Sequence, residues 1–178
     1  MNANEYIKHW EKNKVWTHLR NPKHQARFAE CVKHIKGETF ADIGCAYGHS
    51  TLIMAGMRPG KWFGVDFSEV AITKASEHSG DKGVDFVYAP DSAALGVEMY
   101  DSVVCSEVIE HVPNDTGFVR DVVASARRAA VFTTPNKQVN DPGHLRLYDQ
   151  GMLDVLFMPY RATISKAGPF WVIVVNKK

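Results

Sequence analysis

The sequence predicts a single α/β domain, with a mostly parallel sheet and helices on both faces. Three observations carry this. Short apolar segments of strand length alternate repeatedly with segments of helical period, the pattern of strand–helix–strand crossovers. Several strand segments are continuous apolar runs, as at Val103-Val104-Cys105, which suits strands covered on both sides. Finally, 178 residues with 45% hydrophobic and 23% charged content make one ordinary globular domain with a proper core.

The N-terminal part to about Gly37 reads as helix with a break at Asn21-Pro22, and KHQARFAECVKHIKG spaces Phe28, Cys31, Val32 and Ile35 helically. Residues 1–36 are therefore expected to form a helical lid or substrate segment, and residues 37–178 the core of one 1–178 domain. TFADIG is the first strand, HSTLIMAGM a helix, KWFGVDF a strand, and SEVAITKASEH a helix capped by Ser68. VDFVYA and YDSVVCSEV are strands three and four. NDTGFVRDVVASARR reads as a helix capped by Asn114 or Asp115, and AAVFTTP as the fifth strand. After the helix YDQGMLDVLF, the strands RATISKA and FWVIVVN flank Gly168-Pro169 without an intervening helix. They are expected to close the sheet as an antiparallel hairpin.

A net charge of +1 supplies no global field to recruit nucleic acid or an anionic membrane. Eight Lys/Arg against three Glu in the first 36 residues read as a solvated helical face, with polyanion contact as the alternative. Cys31, Cys45 and Cys105 form no CxxC pair, so neither a disulfide framework nor a thiolate zinc site is suggested. MNANEYIKHWEKNK has no apolar leader region and no run is long enough to span a bilayer. The expectation is a cytoplasmic protein without a membrane partner.

The segment FADIGCAYGHST carries the first chemistry. An apolar strand stops at Asp42-Ile43-Gly44, the chain turns, and Gly48 opens a helix. Glycine belongs where backbone must approach a ligand or adopt positive φ, although dinucleotide dehydrogenases place a glycine loop at the same point. Asp66 ends the second strand, 22 residues beyond Gly44, where a carboxylate can accept hydrogen bonds from both hydroxyls of a ribose. Asp91-Ser92 follows the third strand, either to meet an adenine edge or to cap a turn.

These residues resemble a known family. FADIGCAYGHSTLIMA is similar to the first motif of class I S-adenosylmethionine (SAM)-dependent methyltransferases, GVDFSEVAITKAS to their second, MYDSVVCSEVIEHVPN to their fourth-strand motif and VFTTPN to their fifth strand. The likeness extends to the small O-methyltransferases of the ubiquinone pathway. It implies a Rossmann-like, seven-stranded sheet whose last strand is antiparallel, with SAM as donor and S-adenosylhomocysteine as product. Asp42, Gly44 and Gly48 would then surround the methionine moiety, with Asp42 near its ammonium. Asp66 would hold the ribose, Phe67 would lie beside the adenine and Asp91 would meet its amino group. Cys45, Ala46, Ser92 and Ser106 complete the candidate cofactor set. Ala46 replaces the family's middle glycine, which requires its φ to stay negative.

Methyl transfer is an in-line displacement in which SAM supplies the electrophile, so the protein must align the acceptor and exclude water. Glu107, Glu110 and His111 lie just beyond the fourth strand, and on a helix starting at Glu107 their i, i+3, i+4 spacing would share one face. His144 follows the fifth strand. Glu107, His111 and His144 are the catalytic candidates, and Glu107, Glu110, His111 and His144 the candidate ligands of a divalent metal, a set also implied by similarity to small-RNA 3′-terminal 2′-O-methyltransferases. Orientation or general-base chemistry by the histidines, or a structural role, are the alternatives. Arg146, beside His144, suits a carboxylate or phosphate, or a surface ion pair. Tyr6, His9, Trp10, Trp16 and His18 form an aromatic cluster suited to lidding the site or to packing on the sheet. Cys45 and Cys105 read as small core residues, and His24, His34, His49 and His78 as surface ones. The expected acceptor is a small molecule, methylated at a hydroxyl or carboxylate oxygen. RNA 2′-O-methylation, a non-catalytic SAM-binding subunit and a nicotinamide dehydrogenase are the competing readings.

Overall fold

The computed structural model describes Lys8 and residues 21–80 and 82–177. The cluster of Tyr6, His9, Trp10, Trp16 and His18, and with it the first part of the expected lid, lies outside the described residues. Helix α1 (Pro22–His34) begins where the Asn21 side chain accepts from Lys23 N and Pro22 takes the first helical position, a place where the missing N–H of proline is harmless. It ends at His34, before Gly37, because Ile35 is already extended.

Strands β1 (Thr39–Ile43), β2 (Lys61–Asp66), β3 (Val84–Tyr88), β4 (Tyr100–Ser106), β5 (Ala126–Pro135), β6 (Thr163–Ala167) and β7 (Phe170–Asn176) form one sheet of order β3-β2-β1-β4-β5-β7-β6. Strands β1 to β5 pair in parallel, and β7 runs antiparallel to both β5 and β6. The last strand in the chain is thus the antiparallel one. Helices α2 (His49–Met57), α3 (Glu69–Ser79), α4 (Asp115–Ser125) and α5 (Gln150–Phe157) fill the connections. Ser68, Asn114 and Asp149 cap α3, α4 and α5 through side-chain oxygens. The helix before β5 is shorter than its sequence implies. Ala126, Arg127 and Arg128 belong to β5, with Ala126 already paired to Tyr100, so sheet pairing overrides their helical preference.

The sheet separates two cores. Phe28, Cys31, Met54, Trp62, Val104, Val131 and Val172 pack on one face under α1 and α2. Val103, Cys105, Val119, Phe132, Leu153, Phe157 and Ile173 pack on the other under α4 and α5. Neighbours such as Val103 and Val104 divide between the faces because strand side chains alternate. Chain order reverses between β1 and β4, which lie side by side. A crevice outside the carboxyl ends of the strands at such a switch point is where open α/β sheets bind ligands. No helix among the described residues is long and apolar enough to cross a membrane.

Candidate active site

Beyond β1 the chain makes a tight turn fastened to β2. Gly44 N and Cys45 N both donate to Val65 O at 2.8 and 3.1 Å, and Gly48 N donates to Cys45 O at 2.9 Å. Gly44 and Gly48 have φ of +79° and +74°. A Cβ on Gly44 would lie 2.5 Å from Val108 Cγ2, and one on Gly48 would fall on the Phe86 ring. Ala46 also has positive φ, +48°, against the expectation of a negative one. The reason is its partner: in this conformation Ala46 N donates to Asp66 Oδ2 at 2.8 Å. Asp66 Oδ1 accepts from Ser68 N at 2.8 Å, so this carboxylate ties the loop to the start of α3. A carboxylate offers about four lone-pair sites, which leaves it capacity for further donors. Burial raises its pKa while the amides oppose the rise.

Asp42 is only 2% exposed. Thr51 Oγ1 and Ser50 Oγ donate to its Oδ2 at 2.7 and 2.9 Å, yet burial still pushes its pKa up to about 6. Cys45 and Cys105 are buried, and desolvation holds both thiols well above their ordinary pKa. Just past Asp66, between the residues that follow β2 and β3 and the start of α4, lies a cleft of about 410 Å³, with Phe67, Asp91, Ser92, Asn114, Phe118 and Asp121 among its walls. Phe67 and Phe118 meet edge to face at 5.8 Å. Asp91 caps a short 3-10 turn by accepting from Ala94 N at 3.1 Å, and Ser92 donates to Asp121. Both residues therefore have structural bonds and also face the cleft.

At the end of β4 the structure departs from expectation. No helix starts at Glu107. That residue is left-handed at φ +61°, and only a 3-10 turn, Ile109–His111, follows. Consecutive residues of β5 engage the two glutamates. Thr133 Oγ1 lies 3.1 Å from Glu107 Oε1 and 2.9 Å from Ser106 Oγ, and Thr134 Oγ1 donates to Glu110 Oε2 at 3.1 Å. Adjacent strand residues point to opposite faces, so Glu107 and Glu110 bond different hydroxyls, while the charge of Glu107 is still felt at Glu110. Glu107 pairs instead with Arg27 of α1, NH1 to Oε2 at 3.3 Å. Arg27 is 4% exposed and its guanidinium lies 4.9 and 4.6 Å from the Phe28 and Phe170 ring centroids.

Glu110, His111 and His144 do converge, with one ligand atom from each mutually within 4.8 Å. The two imidazoles meet edge to face at 4.7 Å, and His144 Nε2 is 4.0 Å from Glu110 Oε1. Glu110 is 1% exposed and its Oε1 has no hydrogen-bond partner among the described residues. Burial, then the charge of Glu107, raises the pKa of Glu110 well above the carboxylate range. Burial lowers both histidines, His111 further through His144, which keeps the rings neutral.

Glu107 thus stands outside the group in which the sequence places it. Arg146 binds Asp115 of its own chain at 2.6 Å. His24, His34 and His49 are half-buried rather than on the surface, while His78 is exposed. Sequence reasoning passed over Arg27, Thr133 and Thr134. Arg27 sits in a basic helix with no local sign of burial. The Thr-Thr pair at the end of β5 did carry a signal, because two hydroxyls at a strand's carboxyl end serve opposite faces.

A family model described as "Methyltransferase domain" matches residues 34–146. A ubiquinone biosynthesis O-methyltransferase of Paraburkholderia phytofirmans is 34% identical over 138 residues, which are 73% of this chain and 59% of that protein. One from Bordetella parapertussis is 30% identical over 67% of this chain and 52% of its own. The chain thus spans little more than half the length of these relatives. Among solved structures, magnesium protoporphyrin IX methyltransferase from Synechocystis with bound S-adenosylhomocysteine superposes with a TM-score of 0.69 at 15% identity, covering 88% of this chain and 84% of that one. A Haloferax volcanii methyltransferase in complex with the activator Trm112 superposes with a TM-score of 0.76 at 9% identity, covering 96% of each. At these identities the likeness is one of fold. The matched segment contains the loop, Asp66, the Glu110–His111–His144 group and the β4–β5 edge between them, and the chain belongs to the class I, SAM-dependent methyltransferase family.

Proposed function

We propose that the chain transfers a methyl group from SAM to an oxygen of a small-molecule acceptor, and that Glu110, His111 and His144 hold a divalent ion beside the acceptor. The observation that carries the proposal is the buried, unpartnered Glu110 Oε1 facing two neutral imidazoles, next to the donor loop. Two neutral nitrogens and a carboxylate suit a borderline divalent cation. Such an ion would favour the ionised form of Glu110, against its burial. When bound, SAM supplies the electrophilic methyl, and the ion lowers the pKa of an acceptor hydroxyl.

The residues fit the donor. Gly44 and Gly48 present bare backbone, Asp42 suits the ammonium, Asp66 has lone pairs for a ribose, and Phe67 with Phe118 offers an apolar wall to adenine. Asp91, Ser92 and Ser106 complete the surroundings. In this reading Arg27 and Glu107 brace the floor of the site through α1. Oxygen as acceptor atom draws support from the relatives named as O-methyltransferases. RNA draws less, because Arg146 is already engaged by Asp115.

The test is transfer of labelled methyl from SAM to a panel of phenolic and carboxylic acceptors, with and without chelator, preceded by thermal shift with SAM, S-adenosylhomocysteine and NAD. Stabilisation by SAM and S-adenosylhomocysteine is expected, as is turnover that chelator lowers and Glu110→Gln makes insensitive to metal. Stabilisation by NAD alone would overturn the donor. Turnover untouched by excess chelator would overturn the ion.

A further inference from the structure

We propose that Arg146, Asp115 and Tyr148 form a clamp that positions His144, making Arg146 a positioning residue of the site rather than a group that grips substrate. This rests on the reading above, in which His144 acts at the reaction centre. Residues 136–149, which carry His144, have no regular secondary structure. Along His144 to Tyr148 the side chains nevertheless alternate as in a strand, with an inverted pattern. Leu145 and Leu147 are 53% and 40% exposed, while Tyr148 is buried and His144 and Arg146 are half-buried. Burial of apolar surface alone would select the opposite register. Specific polar bonds must therefore set this one.

Those bonds are concentrated just after His144. Leu145 N donates to Glu110 O at 2.9 Å. One guanidinium nitrogen of Arg146 meets Asp115 Oδ2 at 2.6 Å and the other donates to Pro113 O at 3.0 Å, a two-point grip that only the rigid fork of arginine provides. Tyr148 donates its hydroxyl to the same Asp115 Oδ2 at 2.8 Å, and Tyr148 O accepts from Trp171 Nε1 of β7 at 3.0 Å. Before His144, Asp141 closes a turn by accepting from Gly143 N at 2.7 Å. His144 is thus pinned on both sides in the chain.

The anchor has its own meaning. Asp115 is the first residue of α4, where the helix dipole favours its negative charge. Pro113, Asn114, Gly117 and Phe118 around it line the 410 Å³ cleft. The clamp therefore joins the arm carrying His144 to the cleft wall that the donor would touch, so the two halves of the site move as one body.

The experiment combines amide hydrogen exchange, S-adenosylhomocysteine affinity and Co²⁺ binding followed by visible absorption, on the full chain and on Arg146→Met, Arg146→Lys, Asp115→Asn and Tyr148→Phe. Arg146→Met and Asp115→Asn are expected to speed exchange at residues 143–148 and to weaken Co²⁺ binding about tenfold or more, as loss of a ligand's supporting shell does. S-adenosylhomocysteine affinity should change by less than about threefold, with Arg146→Lys intermediate and Tyr148→Phe mildest. Unchanged exchange at 143–148 would overturn the clamp. So would faster exchange spread equally over β4 and β5, or a freed arm with Co²⁺ binding and turnover intact. Failure of the metal reading is separately visible, as absent Co²⁺ binding by the unmodified chain. Exchange together with turnover then judges the clamp.

Discussion

The two sides of the cleft are built by different means. On the donor side, the turn after β1 is fixed mostly through main chain: amides of Gly44 and Cys45 bond to Val65 O, that of Ala46 to the Asp66 carboxylate, and three residues take positive φ. On the acceptor side, side chains distant in sequence hold one another, as in Arg27–Glu107, Thr134–Glu110 and Arg146–Asp115. Backbone geometry is specified by local residue types and leaves a motif. Pairings across the fold leave none. The donor side is accordingly a cradle of backbone, and the acceptor side a set of side-chain pairings.

The largest expected effect would test whether such a pairing bears the structure. Arg27→Met leaves the Glu107 carboxylate enclosed without its counter-charge, which costs about 3 kcal/mol for a buried pair broken on one side. Burial already raises the pKa of Glu107, and Arg27 opposes that rise. Removing Arg27 therefore lifts it further, so the loss should grow as pH rises and shrink where Glu107 is neutral. Urea unfolding at pH 5 and pH 8 measures this, and Arg27→Met/Glu107→Gln should recover most of the loss. Equal destabilisation at both pH values, unrelieved in the double variant, would mean that Arg27 matters only through its packing on Phe28 and Phe170.

A smaller effect belongs to the donor side. Asp42 titrates near 6 in the fold against about 3.9 when unfolded. Between these values the folded state binds more proton than the unfolded chain, so stability falls as pH rises. The favourable contribution is full below about pH 4 and gone above about pH 6, an amount on the order of 2–3 kcal/mol. Asp42→Asn, which can still accept from Ser50 and Thr51, should flatten the curve and be the more stable form at pH 8. A cation seated against Asp42 should do the same, so S-adenosylhomocysteine should flatten the curve of the unmodified chain. Parallel curves for the two proteins would remove Asp42 as the titrating group.

Legibility followed the same divide. The succession of strands and helices, the closing β6–β7 hairpin, the caps at Ser68 and Asn114 and the loop from Asp42 to Gly48 could be read because each depends on neighbours in sequence. The antiparallel placing of β7 beside β5 came instead from resemblance. The helix expected at Glu107 could not. Its i, i+3, i+4 pattern is genuine, but Thr133, Thr134 and Arg27 impose a left-handed residue and a 3-10 turn that local spacing does not encode. Arg128 went wrong likewise, since helical preference yields to pairing with β4 and β7. His144 does come beside Glu110 and His111, a grouping suggested by its place after the fifth strand and also implied by resemblance. Nothing local to GHLRLYD announces that its polar residues turn inward.

Ala46 offers the finest discrimination, because there the cradle departs from its own rule. A non-glycine residue in the left-handed region costs roughly 1–2 kcal/mol, which Ala46→Gly would relieve. Against that, glycine adds about 0.5–1 kcal/mol of entropy cost on folding, and the lost methyl, buried with Tyr47 and Ala71, removes about 0.8 kcal/mol. The terms nearly cancel, so Ala46→Gly should shift the melting temperature by no more than about 3 °C. Gly48→Ala gains the same strain and also drives its Cβ into Phe86 and Ala75, so it should lower stability by more than about 2 kcal/mol and weaken S-adenosylhomocysteine binding. The same methyl exchange, two residues apart, is tolerated at one position and refused at the other. If Ala46→Gly instead proved strongly destabilising, the alanine methyl would be holding the loop, and the donor side too would depend on side-chain packing.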